Sequence, residues 1–150
     1  MSVNLYIVRH GKINREETNK TEYLHLNEEG LAFGAFLDKN FSNIYFDHIF
    51  YQSIDNKSID SYNICRNTIR GMKGVKTEFD KTQLSKIFLE LNESGSGIQN
   101  IMICFRAEGF NVVSNIINST IEDDFNKEYH RVFHYRFINN NYSFIEKFSA

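Results

Sequence analysis

The chain has 150 residues, enough for one domain, spanning residues 1–150, with a core of its own. With 41% hydrophobic and 15% aromatic residues it is too apolar for a disordered chain, yet no apolar run nears the roughly 20 residues of a membrane helix. A net charge of −2 speaks against a general nucleic-acid binder, and Met1-Ser2-Val3-Asn4 lacks the basic start of a signal peptide. The expectation is a cytoplasmic domain with no nucleic-acid and no membrane partner. Residues 3–8 are apolar and rich in β-branched side chains, and read as a buried strand. Residues 12–26 have no steady period and read as loop. Asn27, followed by Glu28 and Glu29, signals a helix start, and the helical spacing holds to Asn40. Residues 46–51 read as a second strand and 54–69 as a helix stopped by Gly71 and Gly74. A short strand is expected at 75–79 and an amphipathic helix at 82–91, with Leu84, Ile87, Phe88 and Leu91 on one face. Ser94-Gly95-Ser96-Gly97 reads as a connector, 98–105 as the strongest buried strand, and 109–121 as a helix. Residues 131–137 and 142–148 alternate apolar and polar about Asn139-Asn140-Asn141, a hairpin signal. The pattern is α/β.

In such sheets ligands sit beyond the carboxyl ends of the strands. Three turns fall there: Arg9-His10-Gly11, Gln52-Ser53 and Arg106-Ala107-Glu108. The first carries the clearest chemistry. Arg offers planar, always-charged donors to a phosphate, neutral imidazole attacks phosphorus, and Gly lets the backbone approach an anion. Lys12 and Asn14, in the loop that follows, are candidate phosphate or substrate contacts. His48 reads as a packing or edge residue and His25 as a surface residue. His130 and His134 are four apart, but their neighbours Val132, Phe133, Tyr135 and Phe137 suit a strand, so no metal site and no cofactor are expected. Cys65 and Cys104 lie in apolar surroundings and read as buried free thiols.

Several stretches, in chain order, resemble the histidine phosphatase superfamily, also called phosphoglycerate mutase-like. Arg9-His10-Gly11 is similar to its Arg-His-Gly after the first strand. Leu26-Asn27-Glu28-Glu29-Gly30-Leu31 resembles its Leu-Thr-x-x-Gly helix start. Phe46-Asp47-His48-Ile49-Phe50-Tyr51-Gln52-Ser53 resembles its Phe-Asp-x-Ile-Tyr-Ser-Ser strand. Ile101-Met102-Ile103-Cys104-Phe105 is similar to the strand before its second catalytic His, and residues 139–148 to its closing Asn turn and strand. The resemblance covers nearly the whole chain. It implies a three-layer α/β/α fold with a mostly parallel central sheet and no large cap insertion.

The departures bear on function. Where the family has a phosphate-binding Arg after Ser-Ser, this chain has Lys57, which keeps the charge but loses the bidentate fork. Where the family has its second His, this chain has Arg106. The family's proton-donating Glu, in a Leu-Arg-Glu segment, aligns with Lys86 of Leu84-Ser85-Lys86. The resemblance thus implies a phosphate-binding set of Arg9, His10, Lys57 and Arg106, with His10 as nucleophile if the protein is active. The surrounding charges should depress the pKa of His10. Glu108 is the candidate substitute acid, although an acid at a helix start is also favoured by the helix dipole. The expected function is a divergent member with a cationic pocket for a phosphorylated small molecule or other anion, with weak or no phosphomonoesterase activity, or a protein-partner role. The alternative is an active enzyme using His10 on an unusual phosphorylated metabolite. Exposed aromatics in the closing hairpin leave room for a homodimer.

Overall fold

The computed structural model describes residues 2–13, 25–53, 63–93, 97–106, 113, 115, 129–138 and 141–150. Strand β1 (Ser2–Arg9) alternates cleanly: Val3, Leu5 and Ile7 enter one apolar cluster, Tyr6 and Val8 the other. Helix α1 (Glu28–Phe41) starts at Asn27, whose side chain accepts the Gly30 N–H at 2.9 Å, and it buries Phe33, Leu37 and Phe41. Strand β2 (Tyr45–Gln52) follows. Helix α2 (Ile64–Thr68) is capped by Asn63, whose side-chain oxygen accepts the Arg66 N–H at 3.0 Å. Strand β3 (Lys73–Phe79) leads through a 3-10 turn (Lys81–Gln83) into α3 (Leu84–Glu93). Strands β4 (Ile98–Phe105), β5 (Arg131–Ile138) and β6 (Asn141–Ser149) complete the sheet.

The six strands lie in the order β3-β2-β4-β1-β5-β6. Neighbours from β3 to β1 are parallel, and β5 and β6 are antiparallel additions. Two cores sandwich this sheet. Phe33, Leu37, Phe41, Cys65 and Ile69 cover one face together with Tyr6, Met102 and Cys104. Leu84, Ile87, Phe88 and Val113 cover the other with Leu5, Ile7, Ile101 and Ile103. This is the expected three-layer α/β/α arrangement. The chain steps outward from β1 to β2 and β3 with α1 and α2 on one face. It then returns through α3 on the opposite face to set β4 between β1 and β2. In open α/β sheets such a reversal marks the ligand side, here beyond the carboxyl ends of β1 and β4.

One expectation changes, and two helices are described only in part. Gly74 does not end a helix; it lies inside β3, which starts at Lys73 rather than at residue 75. Its φ of +153° suits glycine, and a Cβ there would overlap the Phe46 carbonyl beside a register shift in β2. The helix read over 54–69 is described only from Ile64 to Thr68, because 54–62 lie outside the described residues. Of the helix read over 109–121, only residues 113 and 115 are described, both helical. His48 packs in an inner strand, stacked 5.5 Å from Phe50, and His25 is exposed. Cys65 and Cys104 are buried free thiols. Among the described residues no helix is long and apolar enough to cross a membrane.

Candidate functional site

Arg9 ends β1 and pairs in register with Phe105, the last residue of β4. The His10 N–H donates to the Phe105 carbonyl at 3.1 Å, so the parallel ladder runs one residue past β1. Arg106 therefore leaves β4 directly beside His10. Its backbone N–H donates to Gln52 Oε1 at 2.7 Å, and Gln52 ends β2. The Ser53 N–H donates to the Phe79 carbonyl at 2.7 Å at the end of β3. Four carboxyl ends are thus stitched into one rim. Gln52 also receives a bond from Asn63 Nδ2 through its carbonyl at 3.1 Å, which ties the rim to α2.

The turn after β1 is held by small residues and long-range bonds. A Cβ on Gly11 would stand 2.7 Å from Gly30 Cα, and one on Gly30 would overlap the Lys12 carbonyl, so both positions need glycine for close approach. The Gly11 N–H donates to Thr68 Oγ1 at 2.9 Å; Thr68 gives its own hydroxyl proton to the Ile64 carbonyl at 2.7 Å. The Asn27 N–H donates to the Lys12 carbonyl at 2.9 Å. The same Asn27 that caps α1 therefore also fixes the loop.

His10 is only 6% exposed, and its Nδ1 stands 2.7 Å from the Gly11 carbonyl oxygen. A carbonyl only accepts, so Nδ1 carries the proton and the basic lone pair of the neutral ring lies on Nε2. Tyr129 meets the His10 ring edge-on at 5.8 Å. The Arg9 guanidinium carbon lies 3.9 Å from the centroid of the same Tyr129 ring, a cation–π contact that steadies it. The Lys12 ammonium pairs with Glu29 at 2.9 Å. That hydrogen bond, with the Lys12 charge, holds the Glu29 carboxyl below its usual range. Next to Tyr129, His130 accepts the Lys12 N–H through Nε2 at 3.2 Å and stacks on Phe33 with centroids 5.0 Å apart. Burial first, then Lys12, pushes the pKa of His130 down.

The structure brings Arg9, His10, Lys12 and Arg106 to this rim. Asn14, Lys57 and Glu108 lie outside the described residues. Lys86 is exposed on α3 with its ammonium 4.0 Å from Glu90. It lines a groove with Phe50, Thr77 and Phe79, the last at the carboxyl end of β3. Gln52 lies in one of the three predicted turns, and its side chain anchors the Arg106 N–H. Three further contributors carried no local signal as site residues: Thr68, which anchors the Gly11 N–H, and Tyr129 and His130, which flank the loop.

No family model and no curated protein matches the sequence. Solved structures do match in shape. The protein histidine phosphatase SixA complexed with tungstate shares 10% identity over 97% of this chain and 96% of its own, with a TM-score of 0.64. The phosphoserine phosphatase from Entamoeba histolytica in complex with 3-phosphoglyceric acid shares 9% identity over 99% and 98%, TM-score 0.63. The alpha-ribazole phosphatase from Shigella flexneri shares 9% over 95% and 94%, TM-score 0.61. The chain has the histidine phosphatase fold.

Proposed function

We propose that the rim beyond β1, β2 and β4 is an oxyanion site and that the protein is a divergent histidine phosphatase-like binder of a phosphorylated small molecule, with weak or no phosphomonoesterase activity. The observation that carries this reading is the convergence of Arg9, His10 and Arg106 on adjoining strand ends. Two guanidinium groups suit an anion. The fold's other holders support the class: one solved structure holds tungstate and another 3-phosphoglyceric acid. Lys57 is proposed to add a third positive charge. The two buried free thiols accord with a reducing compartment such as the cytoplasm.

Catalysis would begin at His10 Nε2. A P–N bond to that atom forms as the phosphorus–ester oxygen bond breaks, and the leaving oxygen must take a proton. Arg106 stands where the family keeps a second histidine, and a guanidinium does not release a proton in proteins. A missing general acid costs about 10² to 10⁴ in rate. Leaving groups stable as anions suffer least, and alkoxides most. The tautomer held at His10, with its lone pair on Nε2, favours the second reading, an active enzyme on an unusual phosphorylated metabolite, with Glu108 as the acid.

One experiment separates the two. Inorganic phosphate should raise the melting temperature, by mass action on the folded state, and Arg9→Ala should remove the shift. Turnover of 3-phosphoglycerate should be undetectable, while any turnover of an aryl phosphate should vanish in His10→Ala. An equal phosphate shift in wild type and Arg9→Ala would refute the site. Brisk turnover of the alkyl ester would establish the enzyme.

A further inference from the structure

The Arg9–Lys12 loop is anchored from three directions. Thr68 of α2 takes the Gly11 N–H, Asn27 donates to the Lys12 carbonyl, and His130 takes the Lys12 N–H. Only the third anchor can titrate near neutral pH. We propose that His130 is a positioning residue for this loop: its neutral imidazole holds the Lys12 N–H through Nε2, and protonation releases it. This rests on reading the loop as part of the anion site.

The geometry is specific. A backbone N–H only donates, so Nε2 must present its lone pair and the ring proton must sit on Nδ1. Protonation would place N–H against N–H across that contact. The ring is fixed in place by its stack on Phe33 of α1 and by its edge contact with Tyr129, whose own ring carries the Arg9 guanidinium. Its carbonyl accepts from Arg131 Nη1 at 3.2 Å and from the Ala150 N–H at 3.1 Å. Its φ is 60°, the only positive value at a non-glycine residue among those described. Histidine therefore stands at a backbone position where glycine would carry less strain. That choice is explained if the side chain is needed. The charged groups that act on the ring are Lys12 from the loop, Glu29 from α1 and Arg131 from β5. Two of the three are cations, which, with burial, keeps the ring neutral at neutral pH.

The test follows the Lys12 amide by NMR in the full chain. In wild type its ¹⁵N shift should titrate as the pH falls below 6.5, the ordinary histidine value, with exchange quickening on the acid side. His130→Gln supplies an acceptor of similar reach that does not titrate, so the Lys12 amide should stay protected and its acid transition should disappear. His130→Gly relaxes the backbone at φ 60° but removes the acceptor, so exchange at Lys12 should quicken about tenfold at neutral pH. A merely structural histidine predicts the reverse order, with His130→Gly the milder change. An unchanged Lys12 amide in folded His130→Gly, or an acid transition that survives in His130→Gln, would overturn the proposal. Inorganic phosphate titrated into the same samples should bind His130→Gly several-fold more weakly than wild type, and His130→Gln about equally. If phosphate fails to bind wild type while the Lys12 amide still titrates, the anion reading falls and the positioning by His130 stands.

Discussion

At the scale of single residues, the loop after β1 depends on one buried hydroxyl. Thr68 Oγ1 is the acceptor for the Gly11 N–H, and both are buried. Valine has nearly the same shape as threonine and cannot accept. Thr68→Val should therefore cost about 1–3 kcal/mol, the range for leaving a buried donor unsatisfied. Thr68→Ser should lose less, since it keeps the oxygen. Urea unfolding of both variants checks this, and a Val variant as stable as the Ser variant would show that the bond contributes little. Arg9, His10 and Gly11 were legible in the sequence because a strand end, a cation, an imidazole and a glycine fall in succession. Thr68 was not, because its partner lies 57 residues away and nothing around it in the chain marks the contact. His130 was read only by its neighbours, which gave the strand but not the turn at its threshold.

At the scale of elements, starts were more legible than extents. The Asn27 cap of α1 was readable because capping chemistry is local: a short polar side chain, then acids. The beginning of β3 was not, because Gly74 looks like a helix terminator, and only the approach of Phe46 shows why a strand needs it. The entry to α3 is a further local device. Asp80 Oδ1 accepts the Thr82 N–H at 2.8 Å, and Gln83 Oε1 accepts the Asp80 N–H at 2.8 Å. This reciprocal pair is a capping box. It also fixes where the chain leaves β3, one residue past the bond between Ser53 and Phe79 at the site rim. Asp80→Ala should lower stability by about 1 kcal/mol, and Asp80→Asn should keep most of it. A loss confined to Asp80→Ala in thermal unfolding bears out the cap; equal losses in both would assign the effect to charge.

At the scale of the whole molecule, two histidines set the acid side of the stability curve. Burial is the first cause that pushes both His130 and His134 below the ordinary value of 6.5. His130 must stay neutral to accept from Lys12. His134 stacks on Tyr6 at 4.3 Å and donates from Nε2 to Asn4 Oδ1 at 3.1 Å, in a partly buried cross-strand contact. For a histidine whose folded pKa is depressed, the unfolded chain binds its proton first as the pH falls. Stability therefore has a positive slope with pH below 6.5, and it drops until the pH passes the folded values. Glu29 acts with the same sign at lower pH, because its pairing with Lys12 is lost on protonation. On the alkaline side, burial pushes the Cys104 thiol well up, raises Tyr6 and takes Tyr142 up to about 12, so stability should fall again above about pH 8.5, where the unfolded thiol and then the phenols ionise first. The unfolding free energy should thus be highest between these limits. His130→Gln and His134→Gln together should flatten the limb below pH 6.5 without moving the alkaline one, which Tyr142→Phe should make shallower above about pH 10. Urea unfolding across this range decides it: an acid limb equally steep in wild type and in the double variant would place the proton uptake on other groups.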